Sequence, residues 1–325
     1  MILNDTLAGW LANPAARQAT DAAMRVLAGE IAQMPAVLAL RQGLPAAAAD
    51  GAGAVLALAR TFMDDDAALA SLMAAAIAAA AADAFCRPPF RAVRTDVQQG
   101  LLLISSPEMT LQLAALSAEA LTLKRSSPHG LVRITFTGER SLFRFLRGGG
   151  ASLSVFAAPS IEEGFRSGEG CRLRERRRLS DGEVIEIDGR CEAFVIDRAE
   201  SDLVYLFAST PLDAGPVAVD YDPATLAPVA ASSTDDSGSR TQMMLALLRT
   251  LERRDAAPLF VPRLRAGHFH TRWQAMRELL ALDAEFALPH LRDMAGSDPD
   301  TEVRAAAAET LAAFFPGRME QSCHA

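Results

Sequence analysis

The residues best suited to chemistry fall in two short runs. His268-Phe269-His270, with His290 further on, is the densest group of imidazoles in the chain. Imidazole nitrogens suit zinc, copper, nickel or iron, and Asp283 or Glu285 would be the third ligand of a site between two helical segments. No HExxH or comparable spacing accompanies them, which favours the plainer reading that His268 and His270 sit in a turn before a helix, with one of them capping it or hydrogen-bonding backbone. No metal or other cofactor is expected. The second run is Cys171-Arg172-Leu173-Arg174-Glu175-Arg176-Arg177-Arg178. On an extended strand Arg172, Arg174, Arg176 and Arg178 would project to one face and grip a carboxylate, a phosphate or an acidic peptide. Against that stands a charged edge that blocks aggregation, the more frequent use of such a run.

Other candidates carry less. Gly148-Gly149-Gly150 lacks the context of a phosphate-cradling loop and reads as a turn. No GxSxG nucleophile elbow occurs. Glu162-Glu163 and Asp235-Asp236 lie in loop-like stretches and read as solvated carboxylates. Cys86, Cys171, Cys191 and Cys323 form no CxxC pair, so neither a disulfide framework nor a structural zinc site is expected.

These groups need a scaffold, and composition bounds it. The 325 residues suffice for two or three units. Hydrophobic residues make up 50% and aromatics only 6%, so alanine and leucine fill most of the core. The net charge of −8 argues against nucleic acid as a partner, because gripping phosphates needs a concentrated basic face. Asp5 and the missing cationic lead make the N-terminus a poor signal peptide, so a cytoplasmic location is the default expectation. The alanine-rich stretch 67–82 is short for a membrane span and bracketed by aspartates, so it is expected to be a packed helix.

The hydrophobic period divides the chain in three. Residues 1–95 read as helical, with Leu7, Trp10 and Leu11 on one face and Met24, Leu27, Ile31 and Met34 on another. Pro35 and Gly43-Leu44-Pro45 are expected to break this region, and Asp64-Asp65-Asp66 to start the alanine-rich helix. From 97 to 231 the period is two, with turns every eight to twelve residues and no helix of length. That pattern predicts an antiparallel sandwich or barrel, with Asp188-Gly189 as a hairpin turn. Residues 231–239 read as a linker that ends in a helix cap. From 240 to 318 the period returns to 3.6. The fold class expected is a multidomain α+β protein.

The C-terminal part contains an internal echo. Val261-Pro262-Arg263-Leu264-Arg265 is matched by Leu288-Pro289-His290-Leu291-Arg292, and Thr271-Arg272 before Leu279 by Val303-Arg304 before Leu311. The DPxxEVRxxAAxxL pattern over 298–311 resembles the second helix of HEAT and armadillo-type repeats, whose period is about 40 residues. The resemblance covers about 257–315, with Val303, Ala306, Ala307, Leu311 and Phe314 on one face. It implies structural roles for Arg304 and Arg272. Two units fall short of the number that stands alone, so the stack is expected to dock on another part of the chain. Residues 180–187 and the strands after them are similar to the rising strands of cupin-like β-barrels over 99–230. That resemblance implies a barrel without metal, since only His129 lies in the region.

The function expected is a non-catalytic binding, regulatory or scaffold protein. Its partner would be another protein or an anionic ligand or peptide, without a membrane span. The surfaces singled out are the arginine run and the repeat face around Arg272, Trp273 and His290. The alternative is an enzyme or enzyme accessory working in the barrel or at the His268/His270 corner.

Overall fold

The computed structural model describes residues 5–126, 132–160 and 169–315. His129, Leu131, Glu162, Glu163, Cys323 and positions 316–318 of the expected repeat region lie outside the described residues. The chain opens with α1 (Asp5–Ala12), α2 (Pro14–Gln33), α3 (Pro35–Ala49), α4 (Ala52–Met63) and α5 (Asp66–Ala82). Their starts follow local chemistry. Asn13 accepts the Ala16 amide before Pro14 opens α2, and Asp65 accepts the Ala68 amide to cap α5. Gly51, at a φ of 96°, makes the left-handed corner into α4.

Contrary to expectation, α3 runs through Gly43 and Pro45. Its apolar face decides the matter: Val37, Leu40 and Leu44 are buried, and Gly43 admits the Leu58 side chain of α4 where a Cβ would sit 2.9 Å from it. No single described helix is long and apolar enough to cross a membrane.

The middle of the chain is β1 (Arg91–Arg94), β2 (Gln98–Ser105), β3 (Thr110–Leu116), α6 (Ala118–Ser126), β4 (Ile134–Phe136), β5 (Arg140–Arg147) and β6 (Ser152–Ala157). It continues with β7 (Arg172–Arg178), β8 (Val184–Asp188), β9 (Glu192–Arg198), β10 (Leu203–Thr210), β11 (Val217–Tyr221) and β12 (Pro228–Ser233). Three antiparallel sheets result, in the orders β1-β2-β3-β10-β5-β8, β7-β6-β9 and β12-β11-β4. With β4 lying beside β9, β3 to β10 have the strand order of an eight-stranded jelly roll, the connectivity that cupins share. It is not a closed barrel, because β4 and β9 touch without a ladder between them.

Two expectations for this region are corrected. Asp188-Gly189 is no hairpin: β8 pairs with β5 and β9 with β6, so the turn carries the chain from one sheet to another. Glycine is needed at 189 because a Cβ there would lie 2.4 Å from the Glu139 carbonyl oxygen. Among the described residues the region also contains one helix, α6, which follows β3.

The large sheet is covered on both faces, which explains the nearly continuous apolar run of β10. Leu206 and Ala208 pack with Leu111, Leu142 and the N-terminal helices. Leu203 and Tyr205 point the other way, with Phe145, Leu153 and Val155. Arg144 of β5 pins the helical layer down, donating to the Met63 carbonyl and, at 2.8 Å, to the Asp66 carboxylate.

The C-terminal part is helical as expected: α7 (Asp236–Thr250), α8 (Phe269–Leu282), α9 (Ala284–Ser297) and α10 (Thr301–Phe314). Leu279, Leu291, Val303, Ala307 and Leu311 form its core. The stack leans on the β region, with α7 and α8 against β12. Residues 231–239 are not an open linker, since Ser232 and Ser233 ladder with Ala218 and Val217, and Asp235 caps α7. The first proline-bearing segment forms two 3-10 stretches, Arg254–Leu259 and Val261–Leu264, rather than an α-helix. Pro258 and Pro262, four residues apart, each remove an amide donor there. Phe314 leaves the buried face and is 76% exposed.

Candidate functional site: the split in the jelly roll

The arginine run forms β7, which among the described strands is an edge strand paired only with β6. A register shift between Val155 and Phe156 sets Val155 opposite Glu175 and Phe156 opposite Leu173, so Arg174 bulges out. Arg176 and Arg178 lie opposite Ser154 and Ser152, on the other side of that bulge from Arg172, so the four do not share one uninterrupted face. Their charge is largely taken up. Arg174 pairs with Glu192, Arg178 with Glu200, and Arg177 with Glu175 and Glu183. Arg176 donates to Ser154, whose hydroxyl donates to Asp197.

The repeat residues separate as well. Arg272 is buried and donates two bonds to Asp298 and one to the Gly267 carbonyl. Together with His290 and Arg265 it lines a cavity of about 350 Å³ between the repeats. The His290 ring packs on Phe286, with centroids 5.5 Å apart. Trp273 and His270 line a different cavity of about 190 Å³, where α8 and α10 meet Val217 and Ala231 of the β region. His268 occupies the cap position of α8, yet its imidazole makes no capping bond. Asp283 accepts the Phe286 amide as the cap of α9. Among the described residues no cluster of three or more histidine, cysteine, aspartate or glutamate side chains could hold a metal ion.

A further site appears only in three dimensions. Where β4 and β9 fail to ladder, the roll opens into a cleft of about 430 Å³. Its wall is aromatic: Phe143, Phe145, Phe194 and Tyr205. Phe143 and Phe194 meet edge to face at 4.8 Å and 82°, and Phe145 and Tyr205 lie 5.4 Å apart. Alternation in the strands puts these rings on the inner side. Tyr205 donates its hydroxyl proton to Gln98 at 2.9 Å. Burial pushes the phenol up to about 12, so it stays neutral and serves as a donor, not a base.

The mouth of the cleft is basic. Lys124 and Arg125, at the C-terminal end of α6, and Arg133, just before β4, all line it. Cations suit the end of a helix, where the dipole is negative. Lys124 lies 3.4 Å from the exposed Asp96 carboxylate, and Arg125 reaches across to the Ile196 carbonyl at 2.6 Å. The one carboxylate in the lining, Asp220, accepts the Thr135 hydroxyl at 2.6 Å.

Comparison with known proteins bears on the C-terminal helices. Residues 224–312 match the family model for HEAT repeats, a span that begins earlier than the internal echo and takes in β12 and α7. No curated protein matches the chain. Solved structures similar to it include an HTH_3 family transcriptional regulator from Vibrio cholerae, 10% identical over 35% of this chain and 50% of that one, with a TM-score of 0.21. Another is the ectoine synthase of P. lautus, 15% identical over 37% of this chain and 68% of that one, at 0.19. A sugar phosphate isomerase from a cupin superfamily, from Silicibacter pomeroyi, is 12% identical over 43% of this chain and 79% of that one, at 0.23. Overlays this loose carry no argument about activity. By its strand order the chain joins a jelly-roll β region to a C-terminal segment that matches HEAT repeats, which suggest a protein-interaction or scaffold role.

Proposed function

We propose that this chain is a non-catalytic binding and scaffold protein, with the split jelly roll as its recognition module and the helical repeats as its docking surface. The observation that carries the reading is the open cleft between β4 and β9, with an aromatic wall and a mouth of fixed polar groups. Concave, mostly apolar sites with a few placed polar groups are the usual form of small-molecule sites. The groups present suit binding better than catalysis: the tyrosine is held neutral, and the one carboxylate already holds a hydroxyl. On the repeat side, α7 and its C-terminal cap present Met243, Met244, Leu247 and Leu251 to solvent. That apolar stripe supports docking of a protein. The arginine strand ranks behind both, since an acidic partner there would compete with Glu192 and Glu200.

A thermal-shift screen of small organic acids, sugars and nucleotides tests the recognition half. Thr135→Trp, at an exposed cleft position, plugs the site with little cost to folding. Compounds that raise the melting temperature of the parent and not of the plugged variant support the reading. A screen with no such compound contradicts it.

A further inference from the structure

We propose that the cleft takes a flat, apolar acid: a ring system that carries a carboxylate. The inference rests on the reading of the cleft as a binding site, and two independent features of the lining decide the class.

The first is shape and polarity. Phe143, Phe145, Phe194 and Tyr205 form a wall of rings tilted to one another by 14° to 82°. A planar ring entering such a wall gains offset and edge-to-face contacts as well as apolar burial. A sugar would leave its hydroxyls facing phenyl carbon, and burying a polar group without a partner is costly. The polar atom of the aromatic wall is the Tyr205 hydroxyl, and it already donates to Gln98.

The second is charge. The whole chain carries −8, yet Lys124, Arg125 and Arg133 face this one cleft against the single carboxylate Asp220. The contrast with β7 is informative, because there the arginines Arg174, Arg177 and Arg178 each have a glutamate beside them. Asp220 is engaged by Thr135, and Asp96 holds Lys124 only at 3.4 Å with 84% of its side chain exposed. Arg125 already donates to the Ile196 carbonyl and Arg133 acts on the Asp222 carboxylate, yet three cations against one lining carboxylate leave the mouth positive, and a ligand carboxylate that enters it can form charge-assisted bonds. One carboxylate at the rim and rings within is the arrangement that fits both features.

Isothermal titration of the full chain with three probes tests the class: 2-naphthoate, 2-naphthylmethanol with the same rings and no charge, and glucuronate with the charge and no flat apolar ring. The expectation is that 2-naphthoate binds at least about ten-fold more tightly than either control, a preference worth about 1.4 kcal/mol. Its affinity should fall as salt rises, and fall about ten-fold in Arg133→Gln and in Lys124→Gln, while Arg178→Gln leaves it unchanged. Should one of the two cleft variants fold poorly, the other and the salt series still decide. Equal binding of 2-naphthoate and 2-naphthylmethanol would overturn the acid and leave the cleft reading standing. Preference for glucuronate would overturn the ring. Failure of all three probes, beside hits of another class that the Thr135→Trp plug abolishes, would overturn the proposal alone. No hits of any kind would remove the binding reading with it.

Discussion

Arg272 at the start of α8 and Asp298 in the turn before α10 hold each other through two parallel bonds of 2.8 and 2.7 Å, and both residues are more than nine-tenths buried. The pair joins the two repeat units directly. Asp298 Oδ1 also accepts the Asp300 amide, and Arg304 donates to the Asp298 carbonyl. Arg272 is thereby a structural residue first, although it also lines the cavity between the repeats.

Breaking that pair leaves a charge buried without its partner, which typically costs about 3–5 kcal/mol. Asp298→Ala and Arg272→Ala should each lower the unfolding free energy by an amount of that order. Their combination should cost clearly less than the two single losses added together, as interacting neighbours do. A double-mutant cycle in denaturant measures this. Strict additivity would mean that the two residues act separately.

His270 gives the repeat stack a pH dependence. Burial, and then the charge of Arg277, hold its imidazole below the usual 6.5, and Glu302 lines the same cavity. The unfolded chain therefore takes up a proton at a pH where the folded one does not. The stabilisation is complete above about pH 6.5 and is lost as pH falls toward the lower folded value. The melting temperature of the parent should drop more between neutral and mildly acidic pH than that of His270→Gln. An equal drop in the two proteins would contradict this account of the seam.

The arginine strand should tolerate charge reversal. Arg174→Glu removes an ion pair with Glu192 and Arg176→Glu a hydrogen bond to Ser154, both at an exposed edge where such contacts contribute about 0–1 kcal/mol each. The double variant should melt within several degrees of the parent and bind cleft ligands with unchanged affinity. Loss of folding would show that Glu192, Ser154 and Asp197 depend on these arginines far more than exposure suggests.

Much of the fold is legible in the sequence. Period two marks β5, β8, β9 and β11, and the valine, alanine and leucine of 303–311 mark the repeat core. The failures have physical causes. Pro45 reads as a helix end, but the apolar face of α3 outweighs the one hydrogen bond it removes. Gly189 reads as a hairpin because close backbone approach and a tight turn both call for glycine. The cleft as a site is not legible in the sequence. Its cations lie at 124–125 and 133 and its rings at 143, 145, 194 and 205, and only the jelly-roll crossovers bring them together. A trace of it exists in the alternation of Phe143 with Phe145, which marks one face as aromatic without saying what it faces.

The most direct test of the central claim is amide hydrogen exchange of the full chain with and without saturating 2-naphthoate, or with the strongest hit of the thermal-shift screen. Binding in the split should slow exchange in the second half of α6, in β4, and around Phe143, Phe194 and Tyr205, with α8 to α10 unchanged. Protection confined to the repeats, or spread evenly over the chain, would contradict the claim that the opened jelly roll is the recognition site.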